Sequence, residues 1–176
     1  AAWCSEARSV SDELELLPEA GRRVLERYHT LAESIGVDLR YDRFYILGSG
    51  PRYGLACELN LKMKEMSLTH SEPFHFMEFR HGPMSMVTPT TAILGLVSDT
   101  NRAHELQVLT EMSARGARSM VFGEAGGDVE FQSGLSEAAR NVLYLPIGQM
   151  IACERAVAKG LNPDRPHGLS AVVKLP

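Results

Sequence analysis

The amino-acid sequence predicts an α/β fold: a doubly wound parallel sheet with helices on both faces, preceded by an N-terminal helical segment. Short apolar runs that do not alternate with polar residues recur along the chain, as in strands that are buried on both faces. Stretches with apolar residues at every third or fourth position, typical of helices, separate these runs, and this alternation implies βαβ crossovers. The four apolar runs are residues 44–47, 91–97, 119–122 and 141–146.

The first element is a predicted helix over residues 10–36, where apolar side chains recur at helical spacing. Ser11 is the predicted N-cap and Gly36 the predicted end. Because a proline inside a helix removes a backbone hydrogen bond, Pro18 predicts two shorter helices or one kinked helix. The chain is thus divided into a helical linker segment, residues 1–40, and a folded domain, residues 41–176.

The first predicted strand leads through a glycine turn into a long helix over about residues 52–66. Ser49 and Gly50 lie in this turn, where the free N–H groups of the helix N-terminus can bind an anion. The turn alone is a weak signal, because glycines commonly permit such turns. Gly54 has the wrong spacing for a dinucleotide-binding or P-loop motif.

The later runs follow the same order of strand, loop and helix. A helix over about residues 103–115 follows the second run, a glycine-rich loop the third, and a helix closed by Gly160 the fourth. Ligands of such sheets bind beyond the carboxyl ends of the strands. The proline-rich tail from residue 161 onward is predicted to run extended over that edge. The loops to search for a site follow Leu47, Val97, Phe122 and Pro146.

Composition excludes several classes of function. The 18 basic and 22 acidic side chains give a net charge of −4, which disfavours binding to nucleic acid or anionic lipid. No apolar run approaches the roughly 20 residues of a membrane-spanning helix. The three cysteines, Cys4, Cys57 and Cys153, lack metal-binding spacing and are expected to be reduced thiols, so we expect a cytoplasmic protein.

Charged residues share one face of the helix after the glycine turn. Glu58, Lys62 and Glu65 lie at positions i, i+4 and i+7. Spacing alone favours an exposed, salt-bridged face. A functional face stays open, because Glu65 ends the helix just before a polar, histidine-rich segment.

That segment, residues 67–87, contains His70, His75 and His81 together with two glutamates. No pair of these residues has the HExxH arrangement of a helical metal site, so we expect no metal. Each histidine can equally be a structural hydrogen-bonding residue.

The sequence ELNLKMKEMSLTHSE, followed by EFRHGPMSMV, resembles the second SIS (sugar isomerase) domain of glucosamine-6-phosphate synthase and its relatives. These relatives include two-SIS-domain sugar-phosphate isomerases, amino-sugar-phosphate deaminases and fructosamine-phosphate deglycases. The resemblance extends from the first strand to the terminal PDRPHGL and implies a flavodoxin-like sheet.

The resemblance also implies roles for individual residues. Glu65 would move a proton between C1 and C2 of the sugar, which one positioned carboxylate can do. Lys62 would stabilise the enediol-like charge. His81 would assist ring opening and would be donated across a dimer interface, and Glu58 would support the same pocket. This chemistry needs neither a metal nor an organic cofactor.

Two departures from the family pattern shape the prediction. Ser170 and Ala171 stand where the family has a lysine after PRNL, which favours an isomerase, deaminase or deglycase over the synthase. The serine- and threonine-rich loop SxSGxT that grips the phosphate is absent, and only Ser98 and Thr100 could serve at the equivalent place. We therefore expect a homodimer that binds a sugar phosphate of the fructose 6-phosphate or glucosamine 6-phosphate type, with a first SIS domain missing from this chain.

Three other functions stay open at this point. The chain could be the isomerase domain of a glucosamine-fructose-6-phosphate aminotransferase, a non-catalytic module that senses sugar phosphates, or a dimer-forming subunit without activity. A sensor in a transcriptional regulator would need a basic DNA-reading helix, and residues 1–42 contain none.

Overall fold

The computed structural model describes residues 12–168, which form a five-stranded, wholly parallel sheet of strand order β2-β1-β3-β4-β5. The central strand β1 pairs in parallel with β2 on one side and with β3 on the other. The predicted doubly wound parallel sheet is therefore confirmed. The strands are β1 (Arg43–Gly48), β2 (His70–Phe74), β3 (Thr91–Leu96), β4 (Arg118–Gly123) and β5 (Val129–Glu130).

Helices cover both faces of this sheet. Successive residues of a strand point to opposite faces, so Phe44 and Ile46 belong to one apolar core and Tyr45 and Leu47 to the other. The first core lies under α1, α2 and α6, and the second under α3 and α4. The helices are α1 (Leu17–Gly36), α2 (Pro51–Ser67), α3 (Phe76–Phe79), α4 (Arg102–Ala114), α5 (Glu137–Arg140) and α6 (Leu145–Ala158), with 3₁₀ turns at Pro83–Met86 and Asn141–Tyr144.

The N-terminal helical segment is interrupted just before Pro18, as the sequence predicts. Residues 12–14 are helical, a turn follows, and α1 begins at Leu17 with Pro18 in its first turn, where proline is tolerated. The helix ends at Gly36, as expected, and packs against α6 so closely that a Cβ on Gly36 would lie 2.9 Å from the carbonyl oxygen of Ile151. The predicted N-cap, Ser11, lies outside the described residues.

The fourth predicted strand is wrong. Residues 141–146 form a 3₁₀ turn and the start of α6, with Pro146 in the first turn of that helix. A short apolar run fits a buried helix as well as a strand, and Leu143, Tyr144 and Ile147 are buried at helical spacing. The last strand of the sheet is instead the two-residue β5. Because Pro146 lies inside α6, the loop expected after it does not exist.

The tail takes a different course from the one expected. Residues 161–168 contain neither helix nor strand, and Leu161 and Asn162 line a cavity of about 170 Å³ together with Met66 and Leu68. These two residues lie at the C-terminal end of α2, which is the amino edge of the sheet. The described part of the tail therefore does not cover the carboxyl edge.

Candidate functional site

Three charged side chains pair on the outward face of α2. Lys62 Nζ lies 3.1 Å from Glu65 Oε2 and 3.5 Å from Glu58 Oε1. The side chains of Glu58, Lys62 and Glu65 are 39%, 31% and 31% exposed, so solvent or a ligand can reach the group. The hydrogen bond with Glu65 raises the pKa of Lys62 and keeps the ammonium charged. The spacing thus predicts the pairing correctly.

The helix turn that carries Glu65 is held in place from its C-terminal side. Lys159, just after α6, donates hydrogen bonds to the carbonyl oxygen of Ser67 (2.9 Å) and to Thr69 Oγ1 (2.8 Å). A cation at a helix C-terminus also interacts favourably with the helix dipole. Leu68 ends the helix in the left-handed conformation, with φ at 48°. These contacts fix the backbone under Glu65.

His81 and Glu65 of the same chain belong to different layers of the fold. Because β1 and β2 are parallel, α2 runs back from the carboxyl edge of the sheet to its amino edge, where Glu65 lies. His81 is exposed and follows the carboxyl end of β2 and the short α3. Helix α2 packs on the first apolar core and α3, just before His81, packs on the second, so the two residues belong to elements on opposite faces of the sheet.

The other two histidines have local partners. His70 Nε2 lies 3.7 Å from Glu72 Oε1, and the ring of His75 stacks on Tyr53 with a centroid distance of 4.1 Å. Within residues 12–168, no three His, Cys, Asp or Glu side chains are grouped to bind a metal ion. None of the helices in that range has the length and apolar character needed to cross a membrane.

A cleft of about 490 Å³ opens at the carboxyl edge, between the loops that follow β1 and β3. Strand order reverses at this point, which is the usual ligand position in doubly wound sheets. Ser49, Gly50 and Thr100 line this cleft, which we call the edge cleft. Ser98 is fully buried beside it, and its hydroxyl donates to Glu105 (3.0 Å) and accepts from the Asn101 N–H (2.9 Å).

The predicted site residues consequently fall in two places. Ser49 and Gly50 precede the first turn of α2, whereas Glu65 lies fifteen residues further along, which is about 22 Å at the helical rise. That distance exceeds the length of a hexose phosphate. One substrate molecule cannot contact both groups of the same chain.

Sequence reasoning missed the charged residues around the edge cleft. Buried Arg52 pairs with Glu137 at 2.5 Å, and buried Arg140 pairs with Asp99 at 2.5 Å. The partners lie 85 residues apart in the first pair and 41 in the second, so spacing carries no sign of them. The signal that could have drawn attention to Arg52 is its place in the first turn after the glycines.

Residues 40–158 match the SIS domain family, which is more than half of the chain. The chain belongs to the SIS domain family. The resemblance read from the helix face and the HGP segment is thereby confirmed. The match begins three residues before β1 and ends with α6.

Similar curated proteins carry one common name. A glutamine–fructose-6-phosphate aminotransferase (isomerizing) from Sulfurisphaera tokodaii is 32% identical over 91% of this SIS chain and 28% of its own length. The enzyme of the same name from Leifsonia xyli is also 32% identical, over 96% of this chain and 30% of its own length. This chain thus spans less than a third of these relatives.

Solved structures share the fold. Glucosamine-6-phosphate deaminase from Thermotoga maritima superposes with a TM-score of 0.69 at 27% identity, over 85% of this SIS chain and 46% of that protein. Tagatose-6-phosphate ketose/aldose isomerase from Escherichia coli has a TM-score of 0.70 at 22% identity, over 92% and 46% of the two chains. A Clostridium novyi structure has a TM-score of 0.81 at 24% identity, over 96% of this chain and 47% of that protein.

Proposed function

We propose that this SIS domain is the catalytic half of an amino-sugar or keto-sugar phosphate isomerase or deaminase. In this role Glu65 takes a proton from one of the carbons C1 and C2 of the open-chain sugar and returns it to the other. Lys62, held 3.1 Å from that carboxylate, stabilises the negative charge that develops on the enediol-like intermediate. The pairing of Lys62 with Glu65 on an accessible helix face is the observation that carries the proposal.

The position of this pair requires a composite active site. Glu58, Lys62 and Glu65 project from the outward face of α2, away from both apolar cores. A substrate bound there needs walls that a neighbouring domain or subunit supplies. Since the chain spans 28% of the Sulfurisphaera tokodaii relative, a first SIS domain can supply the phosphate grip. A second subunit of a homodimer would supply His81.

The isomerase domain of a glucosamine-fructose-6-phosphate aminotransferase is the second candidate. The names of the curated relatives favour it. Ser170 and Ala171, which stand in place of the family's lysine, disfavour it, and they lie outside the described residues. A sensing module without catalysis would have no use for a proton-transfer pair and is the third possibility.

The test is an assay of the full-length protein with fructose 6-phosphate and glucosamine 6-phosphate in deuterated water. An isomerase or deaminase incorporates solvent deuterium at C1 of fructose 6-phosphate and at C2 of the aldose or amino sugar, with ammonia released from glucosamine 6-phosphate if the enzyme is a deaminase. An aminotransferase forms glucosamine 6-phosphate only when glutamine is added. A sensor binds the sugar phosphates without exchange, which would overturn the proposal.

A further inference from the structure

The last turn of α2, which carries Glu65, depends on contacts from outside the helix. Carbonyl groups at the C-terminus of a helix have no N–H partner within it, and those of Ser67 and Leu68 belong to this class. Leu68 also has a φ of 48°, a left-handed conformation that is unfavourable for a residue with a side chain. The turn therefore needs partners elsewhere in the fold.

Lys159 supplies these partners. Its ammonium group donates to the carbonyl oxygens of Ser67 (2.9 Å) and Leu68 (3.3 Å) and to Thr69 Oγ1 (2.8 Å). All three N–H donors of the ammonium are thereby used. Because the two carbonyl groups belong to the peptide units on either side of the Leu68 Cα, one side chain holds the strained residue from both sides.

The backbone of Lys159 is itself fixed by the way α6 ends. The Gly160 N–H donates to the Val157 carbonyl oxygen (2.9 Å), and the Leu161 N–H donates to that of Ala156 (2.9 Å). Gly160 has a φ of 71°, as the glycine of such a helix end requires. The lysine thus reaches α2 from a defined position.

Two cations hold this turn in different ways. Arg155 is 2% exposed and donates to Thr69 Oγ1 (2.8 Å) from the buried side. Lys159 reaches the same hydroxyl from the surface. The loss of a surface contact costs the whole fold little, but it can open one turn locally.

We infer that Lys159 is a positioning residue, which holds the last turn of α2 so that Glu65 keeps its contact with Lys62. The catalytic consequence rests on the proposed function. Lys62 lies one turn earlier in the helix, whereas Glu65 lies in the turn that Lys159 closes. Opening that turn would move the carboxylate away from the ammonium and from the substrate. A displacement of about 1 Å can lower a rate by about 100-fold.

The experiment compares Lys159→Met with the unaltered full-length protein. We expect kcat to fall about tenfold while KM changes less than about twofold, because Glu65 is misplaced but the phosphate grip is unaltered. The melting temperature should fall by less than about 4 °C. Hydrogen exchange in a peptide covering residues 63–70 should become faster, since the Leu68 and Thr69 N–H groups donate back into α2 at 3.1 and 3.4 Å.

The pKa of Lys62 is the readout that a merely structural role would leave unchanged. The hydrogen bond with Glu65 raises this pKa, so it should fall toward the ordinary value when the contact is loosened. Removal of the Lys159 charge would by itself raise the pKa of Lys62, so a fall reports the lost contact. NMR titration of isotope-labelled lysine Cε signals measures it, and Lys62→Met assigns the signal.

Two further variants separate positioning from other roles. Lys64→Met removes an exposed lysine from the same helix and should leave kcat and hydrogen exchange unchanged. Leu68→Gly, added to Lys159→Met, should restore part of the lost kcat, because glycine adopts a φ of 48° without strain. If Lys159 instead contacted the substrate, the glycine would restore nothing, and that outcome would overturn the inference.

An unchanged pKa of Lys62 in Lys159→Met would also overturn the inference, and so would an unchanged kcat. Failure of the proposed function is distinguishable from both. It would appear as the absence of deuterium exchange into sugar phosphates by the unaltered protein, whereas the Lys62 pKa and the amide exchange do not depend on activity.

Discussion

Lys62 Nζ lies 3.1 Å from Glu65 Oε2, three residues further along α2, and the two side chains are equally exposed at 31%. An ion pair at this exposure contributes little to stability. On the proposed mechanism the ammonium stands next to the carboxylate that moves the proton. The variants below separate these two roles.

Lys62→Met should impair catalysis much more than folding. In the full-length protein we expect kcat to fall by about tenfold or more, because the developing charge loses its cation. The free energy of unfolding should change by less than about 1 kcal/mol. Lys64→Met, an exposed neighbour in the same helix, is the control and should alter neither quantity. Equal losses of activity in both variants would argue against the role of Lys62.

Complementation between subunits tests the role of His81. Glu65→Gln and His81→Ala should each be inactive, because each removes one part of every active site. After equal amounts of the two variants have exchanged subunits, about half of the dimers are mixed, and each mixed dimer has one intact site of two. About a quarter of the unaltered protein's activity should therefore return. Native mass spectrometry must show that mixed dimers have formed. Inactivity of the exchanged mixture would contradict donation of His81 across the interface.

Tyr144 should ionise only in strongly alkaline solution. Burial raises its pKa to about 12, and its hydroxyl donates to the carbonyl oxygen of Val97. Because the pKa is higher in the folded than in the unfolded state, the stabilisation is complete below about pH 10 and is lost as the pH rises toward 12. The absorbance titration of the native protein minus that of Tyr144→Phe should show this midpoint. A midpoint near 10 would contradict the burial argument.

Two glycine substitutions should have opposite effects on stability. A Cβ on Gly36 would lie 2.9 Å from the Ile151 carbonyl oxygen, so Gly36→Ala should lower the free energy of unfolding by about 1–3 kcal/mol. A Cβ on Gly54, within α2, meets no atom within 4 Å. Gly54→Ala should therefore raise it by about 0.5–1 kcal/mol. Denaturant unfolding measures both, and equal effects would show that α1 and α6 do not pack this closely.

Arg155→Lys should destabilise the protein by about 2–4 kcal/mol, since the replacement leaves several buried acceptors unpaired. The guanidinium is 2% exposed and donates to Thr69 Oγ1 (2.8 Å), to the Asp38 carbonyl (3.1 Å) and to the Tyr41 carbonyl. A lysine has neither the planar fork nor enough donors in the right directions. Thermal unfolding measures the loss, and an unchanged melting temperature would contradict the role of these contacts.

Sequence periodicity predicted the central part of the fold because strands buried on both faces leave uninterrupted apolar runs. It missed β2, whose residues His70–Phe74 include a histidine, a glutamate and a proline, because an edge strand is only partly buried. It assigned residues 141–146 to a strand because an apolar run of four to six residues fits a buried strand and the start of a buried helix equally well.

The candidate site divides in the same way. Helical spacing predicted the contacts of Lys62, since residues three and four apart always meet on one face. The separation of Ser49 from Glu65 also follows from the sequence, because the predicted helix over about residues 52–66 lies between them. The pairing of Arg52 with Glu137, 85 residues further along the chain, depends on the tertiary fold, and no local pattern encodes it.

The most direct measurement is deuterium incorporation by the full-length protein at C1 of fructose 6-phosphate or at C2 of glucosamine 6-phosphate. Glu65→Gln keeps the shape of the side chain but removes the base, so exchange should fall by about 100-fold or more. Glu33→Gln, an exposed glutamate of α1, should exchange at the unaltered rate. Exchange that persists undiminished in Glu65→Gln would contradict the assignment of Glu65 as the proton-transfer base.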